Sequence, residues 1–190
     1  MKIKIIALAA LTVLLTACNE HKTVEQVTEE LEEKVATEAP LEEEAPILIG
    51  EFKRDTLESR AYNKWFIQSY KDHTLDTESL PALKKGLTDV RVTVFMGTWC
   101  EDSQREVPAF FKILDEIDYD SDLIHIVTVS EDKTEPAELV NHKEITNVPT
   151  FIFTKDGKEL GRVVEYPLES LEKDMVKILS GQEYKHAYAE

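Results

Sequence analysis

Cysteine is nearly absent, with Cys18 and Cys100 the only two in 190 residues. So few thiols exclude a multi-bridge disulfide framework and a cysteine-rich zinc site, and no CxxC pair is present. Positive charge is also scarce. Lys and Arg number 22 against 38 Asp and Glu, a formal net charge of −16, which excludes nucleic acid or a bare anionic bilayer as an electrostatic partner. Glycine is sparse, and neither a Gly-rich phosphate loop nor a Gly-x-Ser-x-Gly elbow occurs, which argues against nucleotide chemistry and an acyl-serine hydrolase. His21, His73, His125, His142 and His186 are scattered without ligand spacing, so no metal and no other cofactor is expected.

No apolar run reaches the roughly 20 residues of a spanning helix. What is there instead, over residues 1–17, is Lys2 and Lys4, an apolar stretch from Ile5 to Leu15, and small residues before Cys18. That order is a secretory signal. The run Leu15-Thr16-Ala17-Cys18 resembles the bacterial lipobox, and the resemblance implies cleavage before Cys18, lipid on its sulfur and an acyl chain on its new amino group. Two lipid signals give stable anchoring in the cell envelope, outside the cytoplasm. An ordinary secretory signal with an incidental cysteine is the alternative. Loss of the two leader lysines takes the formal −16 to −18. Acylation of Cys18 would leave Cys100 as the one thiol in the mature chain.

Residues 18–46 are dominated by glutamate, contain Pro40 and Pro46 and have no aromatic residue, a composition expected to serve as a solvated tether. Val24, Val27, Leu31 and Val35 nevertheless fall at helical spacing, so a short amphipathic helix is open there. One α/β domain is expected over 47–190. Its predicted elements begin with a strand at 47–50 and a helix capped by Asp55 or Thr56, with Leu57, Tyr62, Trp65, Phe66 and Tyr70 on the core side. A short helix follows at 80–87. A β-branched strand at 90–96 leads into Trp99-Cys100-Glu101-Asp102-Ser103, and a helix covers 101–117 with Pro108 inside it. A strand at 123–129, a helix at 136–142, a hairpin of 150–153 and 160–164, and a helix at 168–179 complete the domain, with a frayed tail beyond Gly181.

This order, with Trp99-Cys100 at a strand-to-helix junction, Pro108 eight residues after the cysteine and Val148-Pro149 before the hairpin, resembles the thioredoxin family over nearly all of residues 47–190. The resemblance implies a thioredoxin-like fold, a central mixed β-sheet flanked by helices with a cis-proline before the C-terminal hairpin. It also implies that Cys100 is the reactive cysteine, at a helix N-terminus where the dipole favours thiolate. Trp99 would wall the site, Pro149 would be the cis-proline, and the Val148 backbone would pair with a substrate strand.

Two positions depart from the family. Ser103 stands where redox-active members carry a second cysteine, and Val94 stands where many place a buried carboxylate. A hydroxyl forms no internal disulfide, although it can hydrogen-bond a thiolate. The expected activity is therefore monothiol exchange, with Cys100 and Ser103 as the catalytic pair, a protein or peptide disulfide as substrate and an external thiol or reductase for release. A redox-inactive peptide-binding module using Trp99, Val148 and Pro149 is the alternative.

Overall fold

Val92, Val94 and Met96 point to one side of their strand and Phe95 to the other, and all four are buried. A strand covered on both faces belongs in the middle of a sheet. The computed structural model places it there; residues 23–37 and 45–189 are described. The leader expected over 1–17 and the lipidation expected at Cys18 lie outside the described residues.

The elements in chain order are α1 (Val24–Thr37), β1 (Gly50–Phe52), α2 (Arg54–Leu57), α3 (Asn63–Asp72), α4 (Leu80–Gly86), β2 (Arg91–Met96) and α5 (Glu101–Glu116). They continue with β3 (Ile124–Thr128), α6 (Ala137–Val140), β4 (Thr150–Lys155), β5 (Lys158–Val164) and α7 (Leu171–Leu179). The strands form one mixed sheet in the order β1-β3-β2-β4-β5, with β2 and β3 parallel and the other neighbours antiparallel. Helices flank it, giving the thioredoxin-like architecture. On one face Val92, Val94 and Met96 meet Phe66, Phe110 and Met175; on the other Phe95 meets Val127, Val148 and Ile152.

Several local expectations are corrected. The first strand lies at Gly50–Phe52, not 47–50, because its ladder starts at Gly50 opposite Thr128, while Ile47 and Ile49 point to solvent. Residues 46 and 48 are held instead by the Tyr62 hydroxyl donating to the Pro46 carbonyl (2.8 Å) and the Leu48 N–H donating to Thr98 Oγ1 (3.2 Å). The helix expected from Asp55 is two pieces. Lys53, not Asp55 or Thr56, is the N-cap of α2, without a side-chain bond, and Glu58 is turned onto Arg54 Nε (2.7 Å). The helix at 136–142 shortens to Ala137–Val140, since Asn141 leaves the helical region with ψ 131° and His142 follows with a left-handed φ of 65°. α7 starts at Leu171 because Ser170 caps it, its hydroxyl accepting from the Lys173 N–H (3.2 Å).

The largest correction falls in the segment expected to be a solvated tether. Residues Val24–Thr37 form a helix that lies on the domain, with Leu31 buried in the main core and Val24 and Val27 packed beside it. An apolar stripe at helical spacing finds a surface to cover, which outweighs the acidic composition. The tail is also held, Tyr184 donating to Asp174 Oδ2 (3.0 Å) and Tyr188 bonding Glu165.

Behind the sheet, the fully buried Glu172 accepts from the Asp76 N–H (3.1 Å) and pairs with His73 Nε2 (2.8 Å). Burial alone would raise this carboxyl, but the His73 and Asp76 bonds outweigh it and hold it at about 2. A depressed folded value means the stabilisation is present above the ordinary carboxylate range and is lost as pH falls from there through about 2. Urea midpoints measured down that acid limb should show a loss on the order of 3 kcal/mol that Glu172→Gln flattens. An unchanged acid limb in the variant would remove Glu172 from the account.

Candidate functional site

β2 ends at Met96, and Gly97, Thr98 and Trp99 turn the chain into α5. Cys100 is the N-cap residue, with extended φ −91° and ψ 121°. Its N–H donates to the Gly97 carbonyl (3.1 Å), and its carbonyl accepts from the Gln104 N–H (3.0 Å), the first bond of the helix. The sulfur is half-buried and free. Its thiol donates to the Val148 carbonyl at 3.2 Å. The Val148–Pro149 peptide bond is cis, and both residues are buried.

The Trp99 indole donates through Nε1 to the Val129 carbonyl (3.0 Å), which anchors the ring to the end of β3. Beneath it lies Gly97, where a Cβ would come within 2.4 Å of the ring, so no larger residue fits there unless Trp99 moves. The Lys133 ammonium stands 5.7 Å from the Trp99 ring centroid, within cation–π reach. Gln104 Nε2 donates to the Thr98 carbonyl (2.7 Å) and holds the turn from the helix side.

Cys100, Val148, Pro149 and Trp99 are thus brought together. Ser103 is placed differently from its expected role as a hydrogen-bond partner of the sulfur. It is fully buried on α5, and its Oγ accepts from the Gly97 N–H (3.1 Å), tying the turn to the helix. Asp102 on the same first turn is paired by Arg105 (2.6 Å), which also holds Glu106 (2.8 Å), while Glu101 faces solvent. Val94 is fully buried in β2 between Ile126 and Phe151. Cys18 lies outside the described residues, and among the described residues no three His, Cys, Asp or Glu side chains gather to hold a metal.

Gly97, Gln104 and Lys133 were not singled out from sequence. Gly97 had a signal, a glycine closing a β-branched run just before Trp-Cys. Lys133 had none, since it reaches Trp99 from a separate loop.

A central mixed sheet carrying one cysteine at a helix N-cap, opposite a proline-preceded strand, defines the class of thioredoxin-like domains. The sequence pattern of the thioredoxin family, described as Thioredoxin, matches residues 81–177, more than half of the chain, and the chain belongs to that family. Thioredoxin H-type 1 of Nicotiana tabacum is 29% identical over 96 residues, which cover 50% of this chain and 71% of that protein. Among solved structures, mitochondrial thioredoxin 3 of Saccharomyces cerevisiae in its oxidized form is 26% identical, with a TM-score of 0.31 over 50% of this chain and 86% of the other. A protein of unknown function from Pseudomonas aeruginosa is 17% identical, with a TM-score of 0.44 over 62% of this chain and 81% of its own. Membership supports function of the thiol–disulfide oxidoreductase type, in a family that generally acts on protein disulfides together with reductants.

Proposed function

We propose that this chain is a lipid-anchored, single-cysteine member of the family that exchanges disulfides through Cys100. The observation that carries the reading is the half-buried Cys100 thiol at the α5 N-cap, 3.2 Å from the Val148 carbonyl, with no second cysteine beside it and with Ser103 Oγ accepting from the Gly97 N–H.

In this geometry the sulfur carries its proton and donates it to the carbonyl that an extended substrate segment would use. A substrate backbone N–H arriving at Val148 competes for that carbonyl and frees the thiol to lose its proton to water. The α5 N-terminus, with its first-turn N–H groups, faces the resulting thiolate. The thiolate attacks one sulfur of a substrate disulfide, the second substrate sulfur leaves as a thiolate, and a mixed disulfide to Cys100 remains. A second thiol of the substrate can attack the substrate sulfur of that bond, forming a new substrate disulfide and expelling the Cys100 thiolate, and the net result is isomerisation. Alternatively an external thiol attacks the Cys100 sulfur and expels the substrate as a thiol, and a second external thiol then breaks the disulfide left on Cys100, so that the substrate is reduced, the two external thiols end as a disulfide and Cys100 is regenerated. Trp99 and the Val148-Pro149 backbone bind the segment, and the lipobox-like run before Cys18 supports a site in the bacterial cell envelope.

The test is trapping. A protein carrying an accessible disulfide is mixed with the reduced chain, quenched with acid and run without reductant. The wild-type chain should give a covalent adduct that dithiothreitol releases, and Cys100→Ser should give none. No adduct from the wild type, with the same segment still binding both chains, would assign the groove to non-covalent recognition instead.

A further inference from the structure

The cleft beside α1 is lined by the end of α5 and the start of β3, at the end of the sheet opposite Cys100. Strands β2 and β3 run parallel, and Cys100 follows the C-terminal end of β2. At the other end, the Tyr119 hydroxyl donates to the Val90 carbonyl (2.6 Å), just before β2 begins. There α1 is seated: a cleft lies between its Val27 and Leu31 and the groups Asp118, Tyr119, Ser121 and Ile124. Lys34 pairs with Glu58 (3.4 Å), and Glu32 pairs with Lys71 at the end of α3. α5 spans the distance between the two ends, and its 16 residues make it about 24 Å long.

We propose that in the anchored protein the docked α1 turns Cys100 away from its own bilayer, so that the disulfide partner is a water-soluble protein arriving from the aqueous side. This rests on the lipid anchoring read at Cys18. The chain from Cys18 to Val24 spans at most about 20 Å when fully extended. With α1 docked, so short a tether keeps the α1 end of the domain close to the bilayer and favours the pose in which the thiol end is the one farther from it. The exposed α1 carboxylates, among them Glu25, Glu29 and Glu33, also oppose close approach to an anionic surface. At the Cys100 end, by contrast, Ile47 and Ile49 stand exposed on either side of Leu48, whose N–H is bound to Thr98. Exposed apolar side chains therefore lie at the same end of the sheet as the thiol.

The test uses the full-length lipidated chain in vesicles of phosphatidylethanolamine and phosphatidylglycerol containing a headgroup-borne quencher. A thiol-reactive fluorophore is placed on Cys100, or on the α1 variant Glu25→Cys in a Cys100→Ser background. The Glu25→Cys label should lose most of its fluorescence and the Cys100 label almost none. In Leu31→Glu, where a buried charge releases α1 and lengthens the tether, the Cys100 label should become quenched. Equal quenching at the two sites in the docked chain, or no change on Leu31→Glu, would overturn the orientation. A chain that fails to float with vesicles, or whose Cys18 still takes the label, would overturn the anchoring and this inference with it. Trapping by Cys100 is measured separately and stands or falls on its own.

Discussion

Asp115→Ala is expected to cost about 3 kcal/mol of folding stability, because it strips the partner from a largely buried cation. Arg54 grips Asp115 through two bonds, Nη1 to Oδ1 at 2.6 Å and Nη2 to Oδ2 at 2.8 Å, and the Tyr70 hydroxyl donates to the same carboxylate at 2.8 Å. The guanidinium lies 4.8 Å from the Phe111 ring centroid, within cation–π reach, so aromatic surface packs against it. Burial pulls the Arg54 ionisation down, and Asp115 and Glu58 more than restore it; Tyr70 is pushed up by burial and then by Asp115. Without Asp115 the cation keeps only Glu58, and a buried phenol loses its acceptor. For a domain of this size the midpoint of thermal unfolding should fall by roughly 10 °C. Asp115→Asn keeps an acceptor for Tyr70 but no charge for Arg54 and should fall between the two. Replacing Arg54 and Asp115 together by leucine should recover part of the loss, since removing both charges leaves none unpaired. A single Asp115→Ala variant that melts with the wild type would show that solvent screens this pair despite its burial.

That cluster also explains why some of the fold was legible in the sequence and some was not. The β-branched run into Trp99-Cys100 and the helix after it were readable because their causes are local: alternation of apolar residues, a glycine at the turn, and acidic residues on a first helical turn. The break between α2 and α3 was not readable. Its cause is the pairing of Arg54 with a carboxylate 61 positions along the chain, which then draws Glu58 away from any cap. The position of α1 was half readable. The stripe of Val24, Val27 and Leu31 showed that a helix was possible, but the surface it covers is assembled from α3, α5 and the start of β3, which no local pattern names. At the site the same division holds. Cys100, Val148 and Pro149 carried a family pattern, whereas the partner of Ser103 is a backbone N–H, and a backbone group has no residue signature.

Ser103→Cys is expected to change how the site releases its partner. The two positions stand at the N-cap and third residue of α5, one turn apart, a separation in the range a disulfide can bridge. The new thiol would replace a fully buried hydroxyl that now accepts from Gly97, and a weaker sulfur acceptor there should cost about 1 kcal/mol. In exchange, the introduced thiolate could attack the Cys100 sulfur of the mixed disulfide, expel the substrate as a thiol and leave a disulfide between positions 100 and 103. Substrate would then be reduced in one encounter, with the two electrons drawn from the pair and later restored by an added dithiol. The adduct that accumulates with the wild-type chain should therefore nearly vanish, and mass spectrometry of the spent variant should show two fewer hydrogens. The rate should stay modest, because Val94 offers no carboxylate to take the proton from the buried thiol, and a Val94→Asp change on top of Ser103→Cys should speed release if the chain still folds. An adduct that persists undiminished in Ser103→Cys would mean that the side chain at 103 stays turned toward Gly97 and that the single-cysteine chemistry is built into the turn itself.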